Sequence, residues 1–132
     1  MRERRDRPRV IGTLEERIAA LACAQDVLDR MKRCPEFKGV DLDSLKTTIV
    51  SFLREPAPKL LGMCSYAKDG TKGRPSKPGD NTWRILVRRD LIHTSPECLA
   101  STMYHEFLHA VLGYNEGHGK EFQRLEALWP LP

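Results

Sequence analysis

The segment from Ser95 to Gly113 restricts the fold most, because it carries the signals for both ends of one helix. Ser95 can cap the first turn, Pro96 suits the first helical position, and Glu97 places a negative charge in the first turn. Gly113 is the residue type that most often ends a helix with a positive φ. The sequence therefore predicts a helix from Pro96 to about Leu112.

Three side chains in this predicted helix form the pattern H-E-x-x-H. His105 and His109 are four residues apart, close to one helical turn, so their imidazoles project from one face and can bind one metal ion. Glu106 can lie beside that ion without binding it and accept a proton from metal-bound water. Zinc lowers the pKa of bound water from about 15.7 to about 7, so the pattern predicts a zinc site that activates water at neutral pH.

A catalytic zinc site of this kind has three protein ligands and one open position. His118, nine residues after the second motif histidine, is the predicted third ligand, because glycines on both sides of it let the chain turn back. Glu116 in the same loop is the alternative. Glu121 and Glu126 are interpreted as solvated charges of a following helix. Asn115 stands six residues after the motif, where another known pattern has its third histidine.

Two other side chains near the predicted site have both a functional and a structural interpretation. Tyr114 could donate its hydroxyl to a developing oxyanion and so stabilise a transition state; packing against the loop is the favoured interpretation. His93 stands alone before the helix. A role in the transition state is open to it, but a surface or capping histidine is the simpler interpretation.

The N-terminal part of the chain is predicted to begin with a second helix. Thr13 and Glu16 fit a capping box, in which each side chain accepts from the other residue's backbone amide. Pro35 is expected to end this helix. Its apolar residues recur at helical steps and predict one buried stripe: Leu14, Ile18, Leu21, Leu28 and Met31.

The remaining segments predict a short sheet and a final helix. Residues 60–66 and 83–88 are strand candidates, and the second of these is rich enough in apolar side chains to be largely buried. Residues 41–54 fit either a strand or the start of a helix. Glycines, prolines and turn residues fill 68–81, which is predicted to be a loop. A last helix is expected from about Lys120.

The chain has 132 residues, 40% of them apolar and 30% charged, which is typical of one globular domain. We expect residues 1–12, with five arginines, to form a flexible basic arm and residues 13–132 to form the domain. No apolar run approaches the about 20 residues that span a bilayer. The apolar segment that would follow the basic residues in a secretory signal peptide is also missing. We therefore expect no membrane contact and a cytoplasmic location. Four cysteines without a C-x-x-C pair do not support a zinc ribbon.

Positive charge is concentrated in residues 68–89, which hold seven basic and two acidic side chains within a chain of net charge +4. Such a cluster can follow a phosphate backbone. The predicted nucleic-acid contacts are Lys72, Arg74, Lys77, Arg84, Arg88 and Arg89. A solvated, solubilising surface explains the same residues at least as well. DNA contact would make the protein nucleoid-associated.

From Leu61 onward the chain resembles the SprT-like zinc metallopeptidases, the group that includes the Spartan DNA-repair proteases. The matching segments are residues 61–66, 83–87, 99–110 and 117–122. The most specific is H-G-x-x-F at residues 118–122, because it separates this group from other peptidases with H-E-x-x-H. The first 60 residues match only loosely. The neighbouring WLM and YgjP-like minimal zincins end in a similar pattern.

The resemblance implies a small α+β, zincin-like domain. It would have an N-terminal helix, a short and mostly antiparallel sheet, a long H-E-x-x-H helix and a short C-terminal helix. It also implies one catalytic Zn²⁺ bound by His105, His109 and His118, with Glu106 as the general base. Many family members continue into a zinc ribbon, whereas here we expect the protease core alone, with a monomer as the default state.

The function expected from these residues is a zinc-dependent endopeptidase that acts on protein or peptide. The resemblance and the basic segment lead to the narrower hypothesis that the substrate is protein bound or crosslinked to DNA. We expect an extended substrate to add to the edge of the strand at 83–87 through backbone hydrogen bonds. The alternative function is a zinc-stabilised nucleic-acid-binding module with absent or incidental peptidase activity. The presence of Glu106 argues against that alternative, and Glu116 as a fourth zinc ligand would favour it.

Overall fold

The N-terminal helix begins as its capping signals predict. The computed structural model describes residues 11–55, 59–67, 82–113 and 117–132, and helix α1 covers Leu14–Arg33. The Glu16 amide donates to Thr13 Oγ1 at 3.1 Å, and the Thr13 amide donates to Glu16 Oε1 at 2.9 Å. The helix ends at Cys34, which is extended and precedes Pro35. The predicted capping box and stop are confirmed.

The described elements form an α+β fold, as predicted. After α1 come two 3₁₀ turns, Pro35–Phe37 and Asp43–Thr47. The further elements are strands β1 (Ile49–Phe52), β2 (Gly62–Ala67) and β3 (Thr82–Val87), then helices α2 (Leu91–Thr94), α3 (Pro96–Leu112) and α4 (Lys120–Glu126). Residues 41–54, which fitted both a helix and a strand, contain the second 3₁₀ turn and then β1.

The three strands form a mixed sheet in the order β1-β3-β2. β2 pairs antiparallel with β3, with Gly62 opposite Val87. β1 pairs parallel with β3, with Ile49 opposite Arg84. The expectation of a mostly antiparallel sheet therefore holds for only one of the two pairings. β2 lies between β1 and β3 in sequence and runs the other way, so the chain has reversed twice when it reaches β3.

Helix α3 packs against α1, α4 and the strands β2 and β3. Its buried side chains include Met103, Phe107 and Leu108, each fully enclosed. Both predicted ends are confirmed: Ser95 Oγ accepts from the Cys98 amide at 3.2 Å, and Gly113 has a φ of 91°. The core therefore fixes the position of the α3 backbone.

The buried face of α1 differs from the predicted stripe. Leu14, Ile18 and Leu21 are 62%, 56% and 53% exposed. The apolar side chains of α1 that are buried are Ala20, Ala24, Val27, Leu28 and Met31. The prediction was right for its last two members and wrong for the first three. The buried face includes the small residues Ala20 and Ala24, which a pattern that ranks residues by hydrophobicity alone passes over in favour of the leucines.

An ion-pair network fastens α1 to α2. His93 Nε2 lies 2.7 Å from Glu16 Oε2, and Arg89 Nη1 lies 3.4 Å from Glu16 Oε1. Arg89 also pairs with Glu55 at 2.9 Å. The contact with His93 is the main reason that the pKa of Glu16 falls to about 2, with the Thr13 amide and Arg89 acting in the same direction. This network gives His93 a structural role.

Replacing Glu16 with Gln is expected to destabilise the folded protein at neutral pH, with a difference that disappears in acid. The folded pKa, about 2, lies below the ordinary value of 4.5. Ionised Glu16 therefore stabilises the fold above about pH 4.5, and this contribution is lost as the pH falls towards about 2. Urea unfolding of the wild type and Glu16→Gln across this range measures the difference. Glu15→Gln, at the exposed neighbouring position, is the control, and a pH-independent difference for Glu16→Gln would contradict the account.

Candidate metal centre

Three histidines meet at the end of α3, as the spacing predicts. His105 and His109 lie on α3, and His118 lies in the turn before α4, where Gly117 has a φ of 61° and directs the chain back. The ligand atoms of the three imidazoles lie within 4.8 Å of one another. His109 Nε2 and His118 Nε2 are 3.2 Å apart. Two nitrogens on one tetrahedral zinc are about 3.3 Å apart, so the three imidazoles are close enough to bind one metal ion.

The Phe122 ring packs against this histidine cluster. Its ring centroid lies 4.8 Å from that of His105, 4.6 Å from that of His109 and 4.8 Å from that of His118. The side chain is only 1% exposed. One buried ring therefore contacts all three imidazoles, which gives the H-G-x-x-F segment a physical reason: the helix that follows His118 places the aromatic residue under the cluster.

A carboxylate contacts the outer nitrogen of one cluster histidine. Glu126 Oε2, on α4, is hydrogen-bonded to His105 Nδ1, which leaves Nε2 of that ring for the cluster. Glu126 is exposed on its helix, as predicted, but it also has this contact with His105, which the sequence interpretation did not include. A signal was present in the sequence, because Glu126 lies one turn after Phe122 and so shares the face of α4 that meets α3. It cannot be used until α4 is known to pack on that face.

Glu106 is buried beside the cluster, with 5% of its surface exposed. Burial raises the pKa of its carboxyl to about 7, and the positive charge of His105 opposes this rise. Burial also lowers the pKa of His109 to about 4, with the charges of His105 and His118 acting in the same direction. His109 is therefore neutral at physiological pH, the state in which an imidazole binds a metal.

Gly62 of β2 passes unusually close to Glu106. A Cβ at this position would lie 2.7 Å from Thr102 Cγ2 and 3.0 Å from Glu106 Oε2. Only a residue without a side chain leaves both groups where they are. Sequence reasoning did not assign Gly62 a role, although a glycine inside a strand is the usual signal of a close approach.

Replacing Gly62 with Ala is expected to move the Glu106 carboxyl and to strain the contact between β2 and α3. Overpacking of this kind lowers the free energy of unfolding by about 1–3 kcal/mol, which urea unfolding measures. We also expect the proposed activity to fall. Met63→Ala alters the next residue of the same strand, whose side chain is exposed, and should change both quantities less. A Gly62→Ala protein as stable as the wild type would contradict the close approach.

A cleft of about 370 Å³ opens beside Glu106 and His105. Its other lining residues come from the segment that leads into β2, from the first residue of β2 and from α3: Lys59, Leu60, Leu61, Gly62, Cys98, Ser101 and Thr102. Leu60 and Leu61 are exposed, so one wall offers apolar surface to an incoming group. The cleft thus connects solvent with the buried carboxyl.

The strand edge beside this cleft belongs to β2. The expectation that a substrate adds to the strand at 83–87 is wrong, because β3 is the central strand and is paired on both sides. β2 has only β3 as a neighbour in the described sheet, and its first residue, Gly62, lines the cleft. Sequence pattern identified β3 as the most buried strand, and a central position explains that burial.

Three of the six predicted nucleic-acid contacts lie in the described part of the chain, and two of these three are engaged in ion pairs. Arg84 is exposed and has no ion pair with a described residue. Arg88 forms a bidentate pair with Asp90 at 2.9 and 3.1 Å, and Arg89 is occupied by Glu55 and Glu16. The other predicted contacts, together with two residues weighed for the metal site, lie outside the described residues: Lys72, Arg74, Lys77, Tyr114 and Glu116.

No family model, curated protein or solved structure matches this chain. The resemblance to SprT-like peptidases therefore stays a prediction that depends on the residues quoted for it. In the part of the chain that the structure describes, no helix combines the length and hydropathy needed to cross a bilayer.

Proposed function

We propose that this protein is a zinc-dependent endopeptidase with a zincin-like site. One observation carries the proposal: three imidazoles close enough to bind one metal ion lie beside a buried carboxyl, and that carboxyl and His105 line an open cleft. A structural metal site has no need of a buried carboxyl at this position. The nearby cleft gives a substrate access to it.

The donor set fits zinc. Three histidine nitrogens are one of the ligand sets of catalytic zinc, and they leave a fourth position open. Among the described residues, the group that could hold a metal contains only His105, His109 and His118. When bound there, zinc would polarise a peptide carbonyl and make a water acidic enough to lose a proton at neutral pH.

Glu106 is proposed as the general base and then the general acid. One of its carboxylate oxygens accepts the proton of the attacking water, and the same carboxyl passes that proton to the leaving amine nitrogen. In the metal-free protein, burial raises the pKa of this carboxyl to about 7, and the charge of a bound zinc would favour the ionised form that accepts a proton.

The substrate is proposed to bind as an extended strand along β2. The edge of β2 that no described strand pairs with offers backbone hydrogen bonds that do not depend on side-chain identity. The cleft beside Gly62, with Leu60 and Leu61 on one wall, accepts one substrate side chain. Such binding needs an unpaired, extended segment, which favours unfolded protein over compact domains.

A DNA-bound protein is the proposed physiological substrate. This part of the proposal depends on the resemblance and on the basic segment, of which Arg84 is exposed and free of described ion pairs. Nearby positive charge would bring the site close to protein held on a phosphate backbone. DNA is then expected to raise the cleavage rate, and added salt is expected to reverse the increase.

Cleavage of denatured casein tests both the zinc-dependent peptidase activity and its stimulation by DNA. The zinc-loaded protein is compared with the chelator-treated protein, each with and without single-stranded DNA, at low and high salt. Cleavage that requires zinc and increases with DNA at low salt supports the full proposal. Zinc-dependent cleavage at the same rate with and without DNA contradicts only the proposal of a DNA-bound substrate. No cleavage by folded, zinc-loaded protein overturns the peptidase and favours the nucleic-acid-binding module.

A further inference from the structure

We propose that Glu126 is a positioning residue of the metal centre, which holds the His105 ring so that Nε2 faces the other two imidazoles. The inference rests on the metal site of the proposed function and not on peptide hydrolysis. It assigns a role to a side chain of α4, outside the H-E-x-x-H helix and the His118 turn. The contact between His105 Nδ1 and Glu126 Oε2 carries it.

The chemistry of that contact selects one form of the imidazole. An ionised carboxylate can only accept hydrogen bonds, so His105 Nδ1 must carry the proton. In a neutral ring, Nε2 then holds the lone pair and is the nitrogen that can bind a metal. A carboxylate behind the ring also makes that nitrogen more basic. Glu126 thereby selects both the orientation and the binding nitrogen of His105.

Helix α4 holds Glu126 firmly enough for this task. Tyr104 Oη donates to the carbonyl of Leu125, the preceding residue, at 2.5 Å, and both side chains are buried. Phe122 is packed under the histidines. Arg124, on another face of α4, pairs with Glu36 at 2.7 Å, which ties the helix to the turn after α1. Contacts on two sides therefore fix the carboxylate opposite His105.

The two other cluster histidines have no such partner among the described residues. Their rings contact each other and Phe122, and of the three cluster histidines only His105 is hydrogen-bonded to a carboxylate of the described chain. Glu121 on the same helix pairs with Arg124 instead, at 2.6 Å. Glu121 is thus a carboxylate of the same helix and similar exposure without a histidine contact, which makes it the matched control.

The test compares zinc affinity in the wild type, Glu126→Gln and Glu121→Gln by competition with a chelator. Loss of an outer partner of a metal ligand weakens metal binding by about 10–100-fold, and we expect this loss for Glu126→Gln only. Circular dichroism of the metal-free proteins shows whether each variant is folded. Glu126→Asp keeps the charge with a shorter reach, so we expect an intermediate loss, which a general effect on folding would not produce.

A second readout follows the imidazole itself in the metal-free protein. Long-range ¹⁵N–¹H NMR reports which ring nitrogen of His105 carries the proton. We expect protonated Nδ1 in the wild type and in Glu121→Gln, and a mixture of tautomers in Glu126→Gln. If Glu126→Gln has the zinc affinity and the His105 tautomer of the wild type, Glu126 is not a positioning residue. The metal centre itself is not contradicted by that result. A wild type that binds no zinc overturns both.

Discussion

Replacing Glu106 with Gln is expected to lower kcat/KM for peptide hydrolysis by about 10²–10⁴-fold, the usual contribution of a general acid–base group. Gln has nearly the same shape but its amide cannot accept and return a proton, so the step that needs Glu106 is lost. The carboxyl is 5% exposed and lies beside the cluster without being one of its ligands. Zinc affinity should therefore stay close to that of the wild type.

The control for this variant is Glu97→Gln, at the opposite end of α3. Glu97 is exposed in the first turn, so the same substitution should leave hydrolysis unchanged. Initial rates on an unstructured protein, with zinc content measured in each sample, separate loss of chemistry from loss of metal. If Glu106→Gln hydrolyses the substrate as fast as the wild type at equal zinc content, Glu106 is not the base.

Replacing His118 with Ala is expected to weaken zinc binding by more than about 100-fold, since loss of even an outer partner costs about 10–100-fold. Activity should fall with the metal. His118 is exposed in the turn before α4, so the metal-free fold should survive. Chelator competition measures the affinity, and added zinc should restore activity only at much higher concentrations.

His93→Ala is the matched control for His118→Ala. His93 is the one histidine outside the cluster and bonds to Glu16. Its removal should lower stability slightly and leave zinc affinity unchanged. If His118→Ala binds zinc as tightly as the wild type, His118 is not the third ligand, and Glu116, the alternative from the sequence, becomes the residue to test.

Local signals in the sequence were sufficient for the ends of α1 and α3 and for the histidines, whereas the short helix α2 (Leu91–Thr94) was not predicted. Caps and breakers act within one turn, so Thr13, Pro35, Ser95 and Gly113 could be interpreted without any tertiary information. The spacing of the H-E-x-x-H motif likewise fixes which face of a helix its two histidines share. The approach of His118 followed from the glycines around it and from the resemblance of its segment to a known one.

The features that the sequence could not predict depend on tertiary contacts between elements that are distant in the chain. Gly62 matters because β2 crosses above Glu106, and Glu126 matters because α4 packs on α3. Neither contact leaves a periodic pattern. The exposed Leu14 has the same explanation. Helical spacing predicts which apolar residues of a helix share a face, but it does not predict which other element covers that face. Strand order also follows from long-range pairing, so the central position of β3 was missed.

Zinc K-edge X-ray absorption on the zinc-loaded wild type tests the central claim most directly, namely that three histidines form the metal centre. The account predicts one zinc per chain with three imidazole nitrogens at about 2.0–2.1 Å and no sulfur. A sulfur ligand at about 2.3 Å would assign the metal to the cysteines. That result, or fewer than three imidazoles, would contradict the proposed centre and the function derived from it.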